Sequence, residues 1–273
     1  MEIIWPSRLS RYLYIQRYSF ALVIFQGEFM ANYTENLVVM SGTEEEVSKA
    51  VSSLVKPNFS DKPDPDEKFE VDFEGLKPAP QFRPVPNAPE PNILHRALYG
   101  EIKKEDIEHW DVVNPEHKKI RIPKQLSKSI QAYRIPFVKA AISYLSTRSG
   151  CRIGTQEYTN YFKALLADVE AMEENLTKTG SPTQYDWMMD NWGSNYSCTV
   201  QVSAHLKGSK KYSTEIYFLT PWSGVFPIMN EFAKKNPNVM VEYQTTDEDK
   251  DYSMTYRFSK GKLVKAVQEK HGR

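Results

Sequence analysis

Nine of the chain's 17 prolines fall between residues 56 and 92, at positions 57, 63, 65, 78, 80, 84, 86, 89 and 91. Proline lacks an N–H and fixes φ, so neither a helix nor a central strand ladder runs undisturbed through such a stretch. The expectation for 56–92 is an extended, proline-rich linker over the surface. Its position in the chain constrains the fold most, because it isolates a short N-terminal unit from everything downstream.

That upstream unit, residues 30–55, reads as β then α. Met30 to Gly42 is a β-rich run closing on Ser41-Gly42. Thr43 is placed to cap a helix in which Glu44, Glu45 and Glu46 suit the positive dipole end and Val47, Val51 and Leu54 share a face. Before it, Arg8, Arg11 and Arg17 precede the apolar run Ser19 to Phe25, as in a secretory leader. The run is too short to span a bilayer and Gln26-Gly27-Glu28-Phe29 offers no small-residue cleavage site. Gly27-Glu28 just ahead of Met30 matches a translated ribosome-binding sequence, so residues 1–29 are expected to be a non-native or disordered extension.

Downstream of the prolines the apolar period is helical over 93–184. Ile93, Leu94, Ala97 and Leu98 begin it, Ile102 to Val113 continues it, and Pro123 and Pro136 each open a further helix. The strongest pattern is Tyr158, Phe162, Leu165, Leu166, Val169 and Met172, with Asp168, Glu170, Glu173 and Glu174 crowding its C-terminal half. From residue 185 the period becomes two. Ser197–His205 and Tyr212–Leu219 form a hairpin, Phe226 to Phe232 a short helix, and Val239–Gln244 and Tyr252–Phe258 two more strands, with Leu263–Val267 as an extension or tail.

Joined across the helical block, 30–55 and 185–273 give β-α followed by β-β-α-β and a last strand. The expected class is α+β: a ferredoxin-like split βαβ sandwich, with an antiparallel sheet, two packing helices, an extra C-terminal strand, and a helical insertion after the first helix.

The chemistry-bearing residues are sparse. Lysine plus arginine equals aspartate plus glutamate at 35 each, so no global charge field selects a partner. Cys151 and Cys198 lie far apart, and the histidines at 95, 109, 117, 205 and 271 lack metal-ligand spacing. No metal, cofactor, catalytic residue or membrane segment is therefore expected, and a reducing cytoplasm suits the cysteine usage. Glu215 and His205 would make the one hydrolase-like pair, given a register that set them face to face. Two surfaces remain. The aromatic segment around Trp187, Asn191, Trp192 and Tyr196, with Trp222, could stack on a base or peptide, although a core role is favoured for it and a turn or cap role for Asn36 and Asn191. The stretch His117 to Gln156 contains no acid and carries Lys118, Lys119, Arg121, Lys124, Lys128, Arg134, Lys139, Arg148 and Arg152. It reads as a nucleic-acid surface over 118–152 or, by preference, as cations neutralised by the acidic helix at 168–174.

Three segments carry a family resemblance: Met30-Ala31-Asn32-Tyr33-Thr34-Glu35-Asn36 with Gly42, Trp187 through Asn191-Trp192-Gly193-Ser194-Asn195-Tyr196, and Phe218-x-Thr220-x-Trp222. Together they resemble the YubB ferredoxin-like family of phages, conjugative plasmids and integrative elements. That family usually carries Trp-Cys where Tyr33-Thr34 stand and Thr-Lys-Trp where Ser194-Asn195-Tyr196 stand. The resemblance implies a fold and a mobile-element setting, and it brings no established catalytic activity. The leading expectation is thus a non-enzymatic accessory protein that binds a host or element protein, with nucleic-acid binding and a small hydrolase or nuclease as alternatives.

Overall fold

Alternation places the first strand. In β1 (Tyr33–Gly42) the residues Thr34, Asn36, Val38 and Met40 are buried while those between them are at least partly exposed, the period-two signature of a sheet covered on one face. In the computed structural model, which describes residues 33–57, 69–99, 132–152, 154–195, 200–207, 211–249 and 251–271, β1 sits inside a six-stranded sheet. It pairs antiparallel with β5 (Lys211–Pro221) on one side and β6 (Met240–Thr246) on the other. Beyond β5 lies β4 (Val200–Lys207), and beyond β6 lie β7 (Tyr252–Ser259) and β8 (Lys262–Lys270), for an order β4-β5-β1-β6-β7-β8 with every neighbour antiparallel.

Two helices cover the buried face. Helix α1 (Glu44–Leu54) starts on a capping box in which the Thr43 hydroxyl accepts from the Glu46 amide at 3.3 Å and the Glu46 carboxylate accepts from the Thr43 amide at 3.2 Å. Such a cap contributes about 1 kcal/mol. Val47, Ala50, Val51 and Leu54 of α1 share one core with Ile228, Met229, Phe232 and Ala233 of the helix Phe226–Lys235, and both sets pack on Val38, Met40, Ile216, Phe218, Val241, Tyr243 and Phe258. The molecule is α+β.

The proline-rich stretch is not a plain linker. Strands β2 (Val55–Pro57) and β3 (Phe69–Val71) pair antiparallel, and the short helix α2 (Phe73–Leu76) follows, capped by Asp72, whose carboxylate accepts from the Gly75 amide at 3.1 Å. Val71, Phe73 and Leu76 join the sheet core. These apolar residues lack any period long enough to read, and burial rather than propensity decides their structure. Proline stays where its missing N–H is harmless: Pro57 ends β2, and Pro89 opens α3 (Pro89–Leu98) in the first turn. Between them, residues 77–87 run without helix or strand and are strapped down. Asn175 accepts from the Arg83 amide at 2.8 Å and donates to the Arg83 carbonyl at 2.9 Å.

A second core lies in the helical block. Helices α3, α4 (Ile135–Ser149) and α5 (Gln156–Thr179) pool Leu94, Ala97, Val138, Ala141, Ile142, Leu145, Phe162, Leu165 and Val169. The helices expected over Ile102–Val113 and from Pro123 lie outside the described residues. The C-terminal tail differs from expectation too. Lys260 and Gly261 both take positive φ, 51° and 71°, the pattern of a tight hairpin turn, so the chain reverses and β8 forms a full strand. No helix among the described residues is long and apolar enough to cross a membrane.

Candidate functional site

Asn36 is wholly buried in the middle of β1, between Thr34 and Val38 on the helix-covered face. A buried amide is tolerated only if its donors and acceptor are met. Its Nδ2 donates to the Thr34 carbonyl at 3.0 Å and to Thr220 Oγ1 at 2.8 Å, while its Oδ1 accepts from the Tyr243 hydroxyl at 2.6 Å. Tyr243 Oη in turn accepts from the Val225 amide at 2.7 Å. The Thr220 hydroxyl donates to the Ser223 carbonyl at 2.7 Å, and Ser223 Oγ donates to the Gly193 carbonyl at 2.7 Å. Burial raises the Tyr243 phenol well above its usual pKa and keeps it a neutral donor.

This network ties four separated segments into one junction. They are β1, β6 through Tyr243, the turn after β5, and the loop after α6 (Gln184–Asn191). The backbones there touch. A Cβ on Gly193, whose φ is +86°, would lie 2.7 Å from the Gly224 carbonyl oxygen and 2.9 Å from Val225 Cα. Gly224 is equally confined, since a Cβ there would lie 2.8 Å from the Tyr243 hydroxyl. Glycine at 193 is thus needed twice, for its φ and for the contact.

Trp222 is the exposed product of this arrangement. It takes φ 68° and is 62% exposed, and the Ser223 amide bonds the Pro221 carbonyl across it at 2.8 Å. A three-residue turn with positive central φ is the strained form of the γ-turn. For a bulky residue the left-handed region costs about 1–2 kcal/mol.

The expected aromatic group is therefore divided. Trp187 and Trp192 are 7% and 5% exposed and meet edge to face at 5.7 Å, with Trp192 donating to the Lys77 carbonyl at 2.8 Å. They are core residues. Asn191 donates to the Trp187 carbonyl at 2.8 Å and closes the end of α6, as a cap should. Tyr196 lies outside the described residues. The Trp-Gly step ends a helix rather than leading straight into a strand, because the Gly193 amide still bonds the Met188 and Met189 carbonyls. Asn36, expected as a turn or cap residue, is instead the hub of the network. Its signal was present as an amide on the alternating positions that Val38 and Met40 continue.

The electrostatic expectations change as well. Lys118, Lys119, Arg121, Lys124 and Lys128 lie outside the described residues. Arg134 donates to the Ala97 and Tyr99 carbonyls at 3.5 and 3.3 Å, and Arg148 pairs with Glu90 of α3 at 2.8 Å. On the acidic half of α5, Glu173 meets His95 at 2.6 Å, and Glu174 meets Lys178 at 2.6 Å and Arg83 at 3.2 Å. These two acids thus draw their partners from outside the basic stretch. The hairpin register sets Glu215 opposite Ser203 and His205 opposite Ser213, so the Glu215–His205 pair is not face to face. Among the described residues no cluster of three or more His, Cys, Asp or Glu could hold a metal ion. A groove of about 460 Å³ runs between the proline-rich strap and α6, lined by Phe82, Arg83, Pro86, Tyr185, Asp186 and Asn195 among others.

No family model matches the chain, and no curated protein matches it. Among solved structures, the crystal structure of the protein api92 from Yersinia pseudotuberculosis, of the family DUF1281, is similar at a TM-score of 0.37 and 10% identity, covering 89% of this chain and 100% of that one.

Proposed function

We propose that the protein is a non-enzymatic binding protein that engages a protein partner through Trp222. The observation carrying this reading is an exposed tryptophan held in a left-handed turn by partly buried hydrogen bonds. Glycine would relieve the strain at that position, so tryptophan there is explained by something other than stability. Tryptophan is among the residues that most often anchor protein interfaces, because it brings a large rigid apolar area with one polar handle. The partner would offer an apolar pocket for the indole.

The finer fold reading belongs with this proposal. The order β4-β5-β1-β6, with α1 following β1 and the Phe226–Lys235 helix linking β5 to β6, supports a ferredoxin-like sandwich extended by β7 and β8. The mobile-element setting rests on the resemblance of the three sequence segments, and one residue of each, Asn36, Gly193 and Thr220, belongs to the junction that presents Trp222. A cytoplasmic placement rests on cysteine usage. The test is affinity capture from a host lysate with the full chain and with Trp222→Gly. A partner retained by the first and lost from the second supports the reading, and equal capture by both removes Trp222 from it.

A further inference from the structure

The sheet ends in a strand that buries almost nothing. In β8, eight of nine residues are exposed and only Val267 is intermediate, with Leu263 42% and Val264 62% exposed. Its inner edge pairs with β7, and β8 ends the strand order. Nine residues are long for so exposed a strand whose outer edge has no partner among the described residues. A row of backbone donors and acceptors of that length is a template for another strand.

We infer that this edge pairs with the same edge of a second copy of the chain, antiparallel and centred on Val267. The residue order of β8 selects that centre. When two identical strands pair antiparallel about a two-fold axis normal to the sheet, the central residue faces its own copy. Centring on Lys265 sets lysine against lysine, and centring on Ala266 sets Lys262 against Lys270. Centring on Gln268 places Val267 opposite Glu269. Centring on Val267 gives Val267 against Val267 and Ala266 against Gln268, with Lys265 facing Glu269 twice. The two lysine–glutamate pairs flank the valine pair on one face, which is the arrangement cross-strand neighbours favour.

The defects of the edge fall outside this segment. Arg257 faces Lys265 and Phe258 faces Leu263, leaving Val264 as a bulge that bends the strand before the paired stretch begins. Lys262 lies beyond the bulge, and the charges left within 265–269, Lys265 and Glu269, are the ones this register sets opposite each other. Pairing there joins two six-stranded sheets into one continuous sheet and turns the half-exposed Val267 into an interface centre.

The experiment is analytical ultracentrifugation of the full chain over a concentration series, with Lys265→Glu, Glu269→Lys and the double exchange. These side chains are exposed, so folding is not at stake, and far-ultraviolet circular dichroism checks it. The wild type is expected to dimerise. Each single reversal should weaken the dimer by roughly tenfold or more, by setting like charges opposite each other twice, and the double exchange should restore it. A monomer at every concentration overturns the inference, as does a dimer that ignores the single reversals or is not rescued by the double exchange.

Discussion

Two buried tyrosines set the two cores apart. Tyr243, in the sheet core, donates to Asn36 and accepts from Val225, so its hydroxyl is used in both directions. Tyr158, in the helical core, packs against Phe162 with ring centres 5.8 Å apart, and its hydroxyl finds no partner among the described residues. Ser143 and Tyr161 in the same helical block share that condition, against Thr214 alone among the described residues of the sheet. Each unmet hydroxyl carries a desolvation cost with no compensating bond. The sheet core is thus specified by directional bonds as well as by packing, whereas the helical core rests on apolar contact, which tolerates alternatives more readily.

The sharpest way to break the comparison is at the point where the sheet core's backbones meet. Gly193→Ala should destabilise by roughly 3 kcal/mol, combining the left-handed penalty with overpacking against Gly224 and Val225, as read by denaturant unfolding. Tyr243→Phe comes next, at about 2 kcal/mol, because it leaves the Asn36 carbonyl oxygen and the Val225 amide buried without a partner. The same measurement on Trp222→Gly should move the other way, stabilising by about 0.5–1 kcal/mol once strain is released from an exposed turn. Tyr158→Phe should lie within about 0.5 kcal/mol of wild type at neutral pH, which is the helical core's counterpart to Tyr243→Phe.

Alkaline pH sharpens the last comparison. Burial pushes the Tyr158 phenol from 10.0 up to about 12. A folded value above the unfolded one means that the group's contribution is complete below pH 10 and is lost as pH rises through 12. Stability should therefore decline above pH 10, and Tyr158→Phe should make that decline shallower. An unchanged pH profile would show that Tyr158 ionises alike in both states.

Periodicity made the strands and helices legible where it was long. The alternation in β5 and β6 and the helical spacing from Tyr158 to Met172 each repeat often enough to exceed local noise. Val71, Phe73 and Leu76 defeated the same reading, because three apolar residues among prolines have no period and their burial comes only from what packs on them. β8 was read as an extension or tail because nothing along it is buried, and its evidence lay in the Lys260-Gly261 turn instead. At the candidate site the converging segments were visible as motifs, but composition alone could not sort Trp187 and Trp192 from Trp222. That division depends on where each indole leaves the backbone: Trp187 and Trp192 at the buried side and end of α6, Trp222 from an exposed left-handed turn.

The network around Asn36 also sets a timetable. Its hydrogen bonds join residues 184 and 207 positions apart, and both neighbours of β1 come from the far end of the chain. Such contacts close large loops and slow folding. During synthesis β1 leaves the ribosome with its amide and two open edges exposed for roughly 10–40 s before either partner strand exists. The last helix of the helical block ends at Thr179, before β5 begins at Lys211, so the polar, better-specified core is the one that must be assembled last.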